Sequence, residues 1–388
     1  MTRREARDPL LDLIRVVAVC GVVLGHWLVT PLVPTANGVI AASPLTTLPE
    51  LTPLSWFLQT LGLFFFVGGF AAARGLRSAE ASGITPARWW LARLRRCAVP
   101  VLGLSACWLV LLVVLAVQGT PQQTVATAAQ LLTTPLWFLV VYLVLLAVTP
   151  IARRLDRRFG LAAVLIPGVL ALIAEATARW ADGWFGQAIG LTTVVTVWWV
   201  PWQLGTALGG GRRIRPIIGL WMAIAGAAAL LFLVRVLDYP AAAVGLPGAD
   251  RSNLVPPSPV VLALAVAQVG VVLLAARPLR ALTARSLIAT VVHRVDRHAL
   301  AIFLLHQNAL IAVTLIAIRF ATLPGLHTVP ADLGWVGVRL LWLPVFAAVL
   351  LLMLATSARL VGGRGRTGAP QPRPTTPATV ESEQSNKG

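Results

Sequence analysis

The chain has 388 residues, of which 57% are hydrophobic and 12% charged, with a mean hydropathy of +0.81 and a formal net charge of +18. A water-soluble domain carries about 25% charged residues, so the composition excludes one and reads as a polytopic membrane protein. The positive charge does not point to nucleic acid, because the basic residues fall in short clusters between apolar runs, which is the pattern of membrane topology.

The first segment, DPLLDLIRVVAVCGVVLGHWL at 8–28, begins with charges and becomes almost wholly apolar. Its length and the lack of a small-x-small cleavage signal predict an uncleaved first span. Arg15 falls near its start, and His26 lies eleven residues further on. At about 1.5 Å per residue the imidazole is roughly 16 Å beyond the arginine, at mid-bilayer or somewhat past it. An ionisable group at that depth faces a protein interior or a wet cavity. Asp12, three residues before Arg15, is placed to pair with it. It is about 21 Å from His26, too far to orient that ring.

Ten apolar runs are long enough to cross a bilayer, at roughly 12–32, 54–73, 94–117, 135–151, 161–178, 188–208, 217–236, 258–276, 299–318 and 334–356. The expected fold is therefore all-α, a multi-pass bundle of about ten transmembrane helices in the cell membrane. No internal repeat is evident. With the N-terminus inside, 27 of the 32 basic residues fall on the inner side. That split predicts that both termini are cytoplasmic. The segments 33–53 and 237–257 are Pro-rich and irregular, and read as connectors or as a lid over an outward cavity. The basic stretch 277–298 reads as an amphipathic helix on the inner leaflet. Residues 1–358 form the expected membrane domain. Residues 359–388 form a Pro/Thr-rich cytoplasmic tail whose composition cannot support a core. Cys20, Cys97 and Cys107 read as small core residues, and no His/Cys spacing suits a metal.

Several segments in order carry a resemblance. LDLIRVVAVCGVVLGHW resembles the opening helix of the acyltransferase family 3 proteins, integral-membrane enzymes that acylate sugars and other hydroxyl compounds. The family's basic residue, ten residues, then histidine map to Arg15 and His26. LGLFFFVGGFAAARG at 61–75 is similar to the second-helix signature, although Gly68 stands where the family usually has serine. RWWLARLRRCAVP at 88–100 resembles the basic lead-in to the third helix, with its R-x-x-R at Arg93 and Arg96. PLWFLVVYLVLLAVTP at 135–150 and WWVPWQLGTALGG at 198–210 resemble the fourth and sixth helices. ALAIFLLHQNAL at 299–310 is similar to the late segment that carries a histidine, here His306, with Gln307 and Asn308 placed to satisfy its ring nitrogens. The resemblance covers about residues 8 to 356.

The resemblance implies acyl-coenzyme A, first of all acetyl-CoA, as co-substrate rather than a resident cofactor, and a sugar or glycan hydroxyl as acceptor. It implies His26 as general base or acyl carrier, with Arg15, Arg93, Arg96 and His306 binding donor or substrate. Two guanidiniums on one helical face suit a phosphorylated ligand, since each fork binds oxygens in pairs. A neutral imidazole can take the proton that a hydroxyl loses as it attacks a thioester. The alternative from another class is a transporter or flippase for a lipid-linked or phosphorylated compound, in which the arginines hold the headgroup and His26 relays protons. No metalloprotease, nucleotide-loop or hydrolase-elbow motif is present. The sequence leaves the acceptor, the acyl length and the oligomeric state open.

Overall fold

A computed structural model describes residues 8–181 and 183–363. Of the expected tail at 359–388, residues 359–363 are instead the end of the last helix, while 364–388 and the three arginines before Asp8 lie outside the described residues. Helix α1 (Pro9–Val29) starts sharply because Asp8 caps it, its carboxylate accepting from the Leu10 N–H at 3.1 Å with Pro9 in the first turn. A two-stranded hairpin follows, β1 (Leu32–Thr35) antiparallel to β2 (Gly38–Ala41) with Val33 opposite Ile40. Then come α2 (Pro44–Thr47), α3 (Thr52–Leu58), α4 (Leu61–Ala81), α5 (Pro86–Val117), α6 (Gln122–Thr133) and α7 (Leu136–Phe159). A 3-10 turn leads into α8 (Leu165–Trp180), followed by α9 (Gly183–Gly209), α10 (Pro216–Arg235), α11 (Pro259–Leu274), α12 (Ala276–Thr283), α13 (Ser286–Ala317) and α14 (Leu333–Gly363).

Each of the ten apolar runs is mainly helical, yet the expected count of ten is not what helix length and composition give. Among the described residues, seven helical stretches are long and apolar enough to cross a membrane. The count rises to eight if α11 and α12, bent by 65° at their junction, make one span. The shortfall has local causes. Helix α8 is only 16 residues long and follows α7 through the 3-10 turn, so the two count within one stretch. Helix α9 spreads Thr, Gln and Gly among its tryptophans, which dilutes its apolar character.

Three further expectations change. The run at 54–73 is broken at Gln59–Thr60, where the backbone turns between α3 and α4. The break is satisfied from outside, because the Thr60 hydroxyl donates to the Ala18 carbonyl of α1 and the Gln268 amide donates to the carbonyls of Trp56 and Gln59. The basic stretch 277–298 is not one surface helix. Its first part is α12, while Ser286 onward continues without interruption into the apolar part of α13. The Pro-rich segments are not plain connectors either. The first forms the β1–β2 hairpin, which the Thr124 and Thr127 hydroxyls of α6 clamp by bonds to Val39. The second, between α10 and α11, is held by fully buried Asn253, which donates to the Pro240 and Ala242 carbonyls and accepts from Ser258. Tyr239 in that segment donates its hydroxyl to Glu175 of α8 at 2.8 Å. Burial, reinforced by that bond, pushes the phenol up to about 12.

Small residues let the central helices meet backbone to backbone. A Cβ on Gly205 of α9 would lie 1.9 Å from the Phe66 oxygen of α4, and one on Gly69 would lie 2.1 Å from the Trp202 oxygen. Gly68 belongs to the same seam, where the Trp202 ring fills the space a larger residue would need. The main core is lined by Phe65, Phe138, Trp198, Trp202 and Phe303, while α5 turns a long run of apolar side chains outward.

Candidate active site

The site is built between α1 and α13, which run parallel. Arg15 donates to the buried carboxylate of Asp296 at 2.5 Å, and Asp12 lies 3.6 Å from the same guanidinium nitrogen. Further along, Nδ1 of His26 lies 3.1 Å from the Gln307 side-chain nitrogen. Both pairs have the same sequence separation of 281, so the register holds between them. The reason is helical arithmetic. Eleven residues at 3.6 per turn make just over three turns, so Arg15 and His26 share one stripe of α1, and Asp296 and Gln307 share one stripe of α13.

His26 occupies the last turn of α1, three residues from its end, toward the far side of the span. Its ring is half-buried and meets the His306 ring with centroids 5.1 Å apart, tilted by 46°. His306 is fully buried. Its Nδ1 lies 2.7 Å from the Phe303 carbonyl oxygen, which only accepts, so Nδ1 carries the proton and Nε2 presents a lone pair. Among the described residues, that Nε2 and the side-chain oxygen of Gln307 are buried without a hydrogen-bond partner. Such groups are rare in a finished core and mark places where something else completes the bonding. The indole of Trp27 donates to the His306 carbonyl at 3.0 Å, and that of Trp108 on α5 donates to Asn308 at 2.7 Å. These bonds fix the rotation of α13 about its axis.

A run of rings leads from the histidines back toward the arginines. His306 contacts Phe303, Phe303 contacts Phe138 at 5.0 Å between centroids, and Phe138 contacts Tyr142 on α7. Arg15 and Arg93 both lie within electrostatic range of the Tyr142 hydroxyl. Arg93 is half-buried and stacks on Trp89 at 4.0 Å from the ring centroid, against α4 at Gly75. Arg96 is exposed. Of the residues singled out from sequence, His26 and His306 come together directly, and Arg15 and Arg93 converge at the opposite end of the ring run. Arg96 is on the same helix as Arg93 but turns outward.

Three residues play parts that the sequence did not suggest. Gln307 and Asn308 do not satisfy the ring of His306: Gln307 contacts His26, and Asn308 accepts from Trp108 and donates to the Leu304 carbonyl. Arg339 of α14 is fully buried and donates to the carbonyls of Trp27, Thr30 and Gly325 at 2.6, 2.8 and 2.8 Å. It holds the end of α1 one residue past His26. Among the described residues, no three His, Cys, Asp or Glu side chains come together as a candidate metal cluster.

Comparison with known proteins gives one positive finding. A family model described as an acyltransferase domain matches residues 8–358, nearly the whole chain. No curated protein and no solved structure matches it.

Proposed function

The chain belongs to acyltransferase family 3, and from that premise we propose that it moves an acyl group, acetyl first, from acyl-CoA to a hydroxyl of a sugar or cell-surface glycan. The observation that carries the reading is the paired register of α1 and α13. It sets a charged end, with Arg15, and a two-histidine end, with His26 and His306, on one continuous stripe about 16 Å apart. A donor with phosphates at one end and a thioester at the other matches that division. Arg15 and Arg93 attract the phosphates, Arg96 guides them at the rim, and the ring-lined lane receives the apolar arm.

His26 Nε2 takes the proton of the attacking hydroxyl as its oxygen bonds to the thioester carbon. The carbon–sulfur bond then breaks, and the imidazolium returns the proton to the departing thiolate. His306 presents its Nε2 lone pair to the acceptor hydroxyl beside the same carbon. The clustering of basic residues supports an arrangement with the arginine end in the cytoplasm, where acyl-CoA is found, and both termini with it. His26 then lies toward the outer leaflet, which suits an extracytoplasmic or lipid-linked acceptor. In a background lacking the three native cysteines, Thr46→Cys and Ala249→Cys should react with an impermeant thiol reagent on intact cells, while Ser82→Cys and Ser286→Cys should not.

The functional test uses membranes containing the protein, supplied with acyl-CoA labelled in the acyl group. The parent should pass label to extractable glycan or lipid, and His26→Ala should lower that transfer by about 10² or more at equal protein level. Equal transfer by parent and His26→Ala would remove the reading. A carrier would instead move a phosphorylated compound across the bilayer with no acylated product.

A further inference from the structure

We propose that the side-chain oxygen of Gln307 accepts the Nδ1 proton of His26 and holds the ring in the tautomer whose Nε2 lone pair is free. Gln307 is then a positioning residue for the base. The inference rests on the reading of His26 as the proton acceptor, and it starts from three observations. Gln307 is the polar side chain at hydrogen-bond distance from His26 among the described residues, at 3.1 Å. Its second amide atom is buried without a partner. The neighbouring His306 Nε2 is also without a partner, so no bond between the two rings sets the tautomer of His26.

The two orientations of the amide have opposite chemical consequences. If the amide N–H donates to Nδ1, the lone pair of the neutral ring is used there. The proton then sits on Nε2, and the ring can donate but cannot accept. If the amide is turned by half a rotation about its last bond, oxygen and nitrogen exchange places with almost no change of shape. Nδ1 then carries the proton, the oxygen receives it, and Nε2 opens toward the substrate. Each orientation leaves one polar amide atom without a partner inside the protein, so counting hydrogen bonds does not choose between them. The chemistry of a base does. In the second orientation the amide N–H groups stand where the lone oxygen stood, free to meet an oxygen of the substrate.

The register described above makes Gln307 well suited to this task. It sits eleven residues beyond Asp296, on the stripe of α13 that faces α1, so the ion pair below and the bonds of Trp27 and Trp108 hold its backbone. A side chain locked in this way can fix a ring rotamer and tautomer together.

The direct test reads the tautomer without requiring turnover. In purified protein labelled with 15N-histidine, the His26 signals are identified by their loss in His26→Ala. They should show Nδ1 protonated and Nε2 unprotonated. A proton on Nε2 in the parent overturns the proposal. In activity, Gln307→Met keeps the length without a hydrogen bond and should lower kcat about tenfold or more, with KM for acyl-CoA nearly unchanged. Gln307→Glu supplies an acceptor oxygen at the same place and should recover most of the rate and the Nδ1–H signal. Parent-like kcat in Gln307→Met, with His26→Ala inactive, overturns this proposal alone. Activity in His26→Ala overturns the function on which it rests.

Discussion

Arg339→Lys tests how the far end of α1 is held. The carbonyl of Trp27 would normally accept from the amide four residues on, but that residue is Pro31, which has no N–H. Arg339 Nε supplies the bond, while its two terminal nitrogens reach Gly325 and Thr30. A lysine keeps the charge but presents a single point of donors, which cannot span carbonyls set at three edges of a planar fork. It retains one of the three bonds at most. Each hydrogen bond to a charged group contributes about 1.5–3 kcal/mol, so losing two removes roughly 3 kcal/mol or more. At about 2 °C per kcal/mol for a large chain, the melting temperature should fall by roughly 6 °C. The assay is thermal unfolding of detergent-purified protein followed by tryptophan fluorescence, with acyl transfer measured at low temperature. Turnover should fall as well, because Trp27 adjoins His26. Melting within about 1 °C of the parent would refute the claim that this fork holds the helix end.

Arg93→Lys should raise KM for acyl-CoA about tenfold, whereas Arg96→Lys, at an exposed position, should change it much less; the reverse order in a donor titration would reassign the phosphate contact. Gly205→Val should destabilise the α4–α9 seam by at least ~2 kcal/mol and sharply reduce the yield of monodisperse protein, while Gly103→Val, with open space around it, should not. His327, between α13 and α14, is held neutral, with Nδ1 accepting from the Leu323 N–H and Nε2 lying 3.0 Å from the Thr314 carbonyl. Burial pushes it below the ordinary histidine range. Its contribution to stability is therefore full above the unfolded value of about 6.5 and is lost as pH falls below it. Melting temperature should drop between pH 7 and 5, with a shallower drop in His327→Gln; an equal slope in both would exclude His327 as the cause.

Much of this architecture was legible from the amino-acid order, and the limits have physical causes. Apolar runs mark helices well, because each must satisfy its own backbone, so every expected run is mainly helical, although the one at 54–73 is split between α3 and α4. Where helices break or continue is set by partners distant in sequence. The kink at Gln59–Thr60 is satisfied by Ala18 and Gln268, and the basic first part of α13 meets α1 through Asp296 and Arg15. Prolines and polar residues in 33–53 suggested irregular chain, while the hairpin there is decided by two threonines of α6. At the site, the spacing of Arg15 and His26 could be read directly. The matching spacing of Asp296 and Gln307 was equally present, but it carries meaning only once the two helices are known to run side by side. Arg339 gave no signal beyond being one arginine in an apolar run, since its role lies in three carbonyls contributed by other segments.

The matched stripes on α1 and α13 also bear on which changes of length the chain can absorb. One residue added to α1 between Arg15 and His26 would swing everything beyond it by about 100° around the helix axis and lift it by about 1.5 Å. The imidazole would leave Gln307 while the arginine stayed with its carboxylate. A compensating residue in α13 would not restore the match, because both faces would then have rotated away from their shared seam. The interval can therefore vary in composition but not in length, short of an insertion that returns both helices to the same face. Loops elsewhere in the fold are free of this rule. Deletion scanning should reveal it as an intolerant block bounded by residues 15 and 26, mirrored by a second block between 296 and 307.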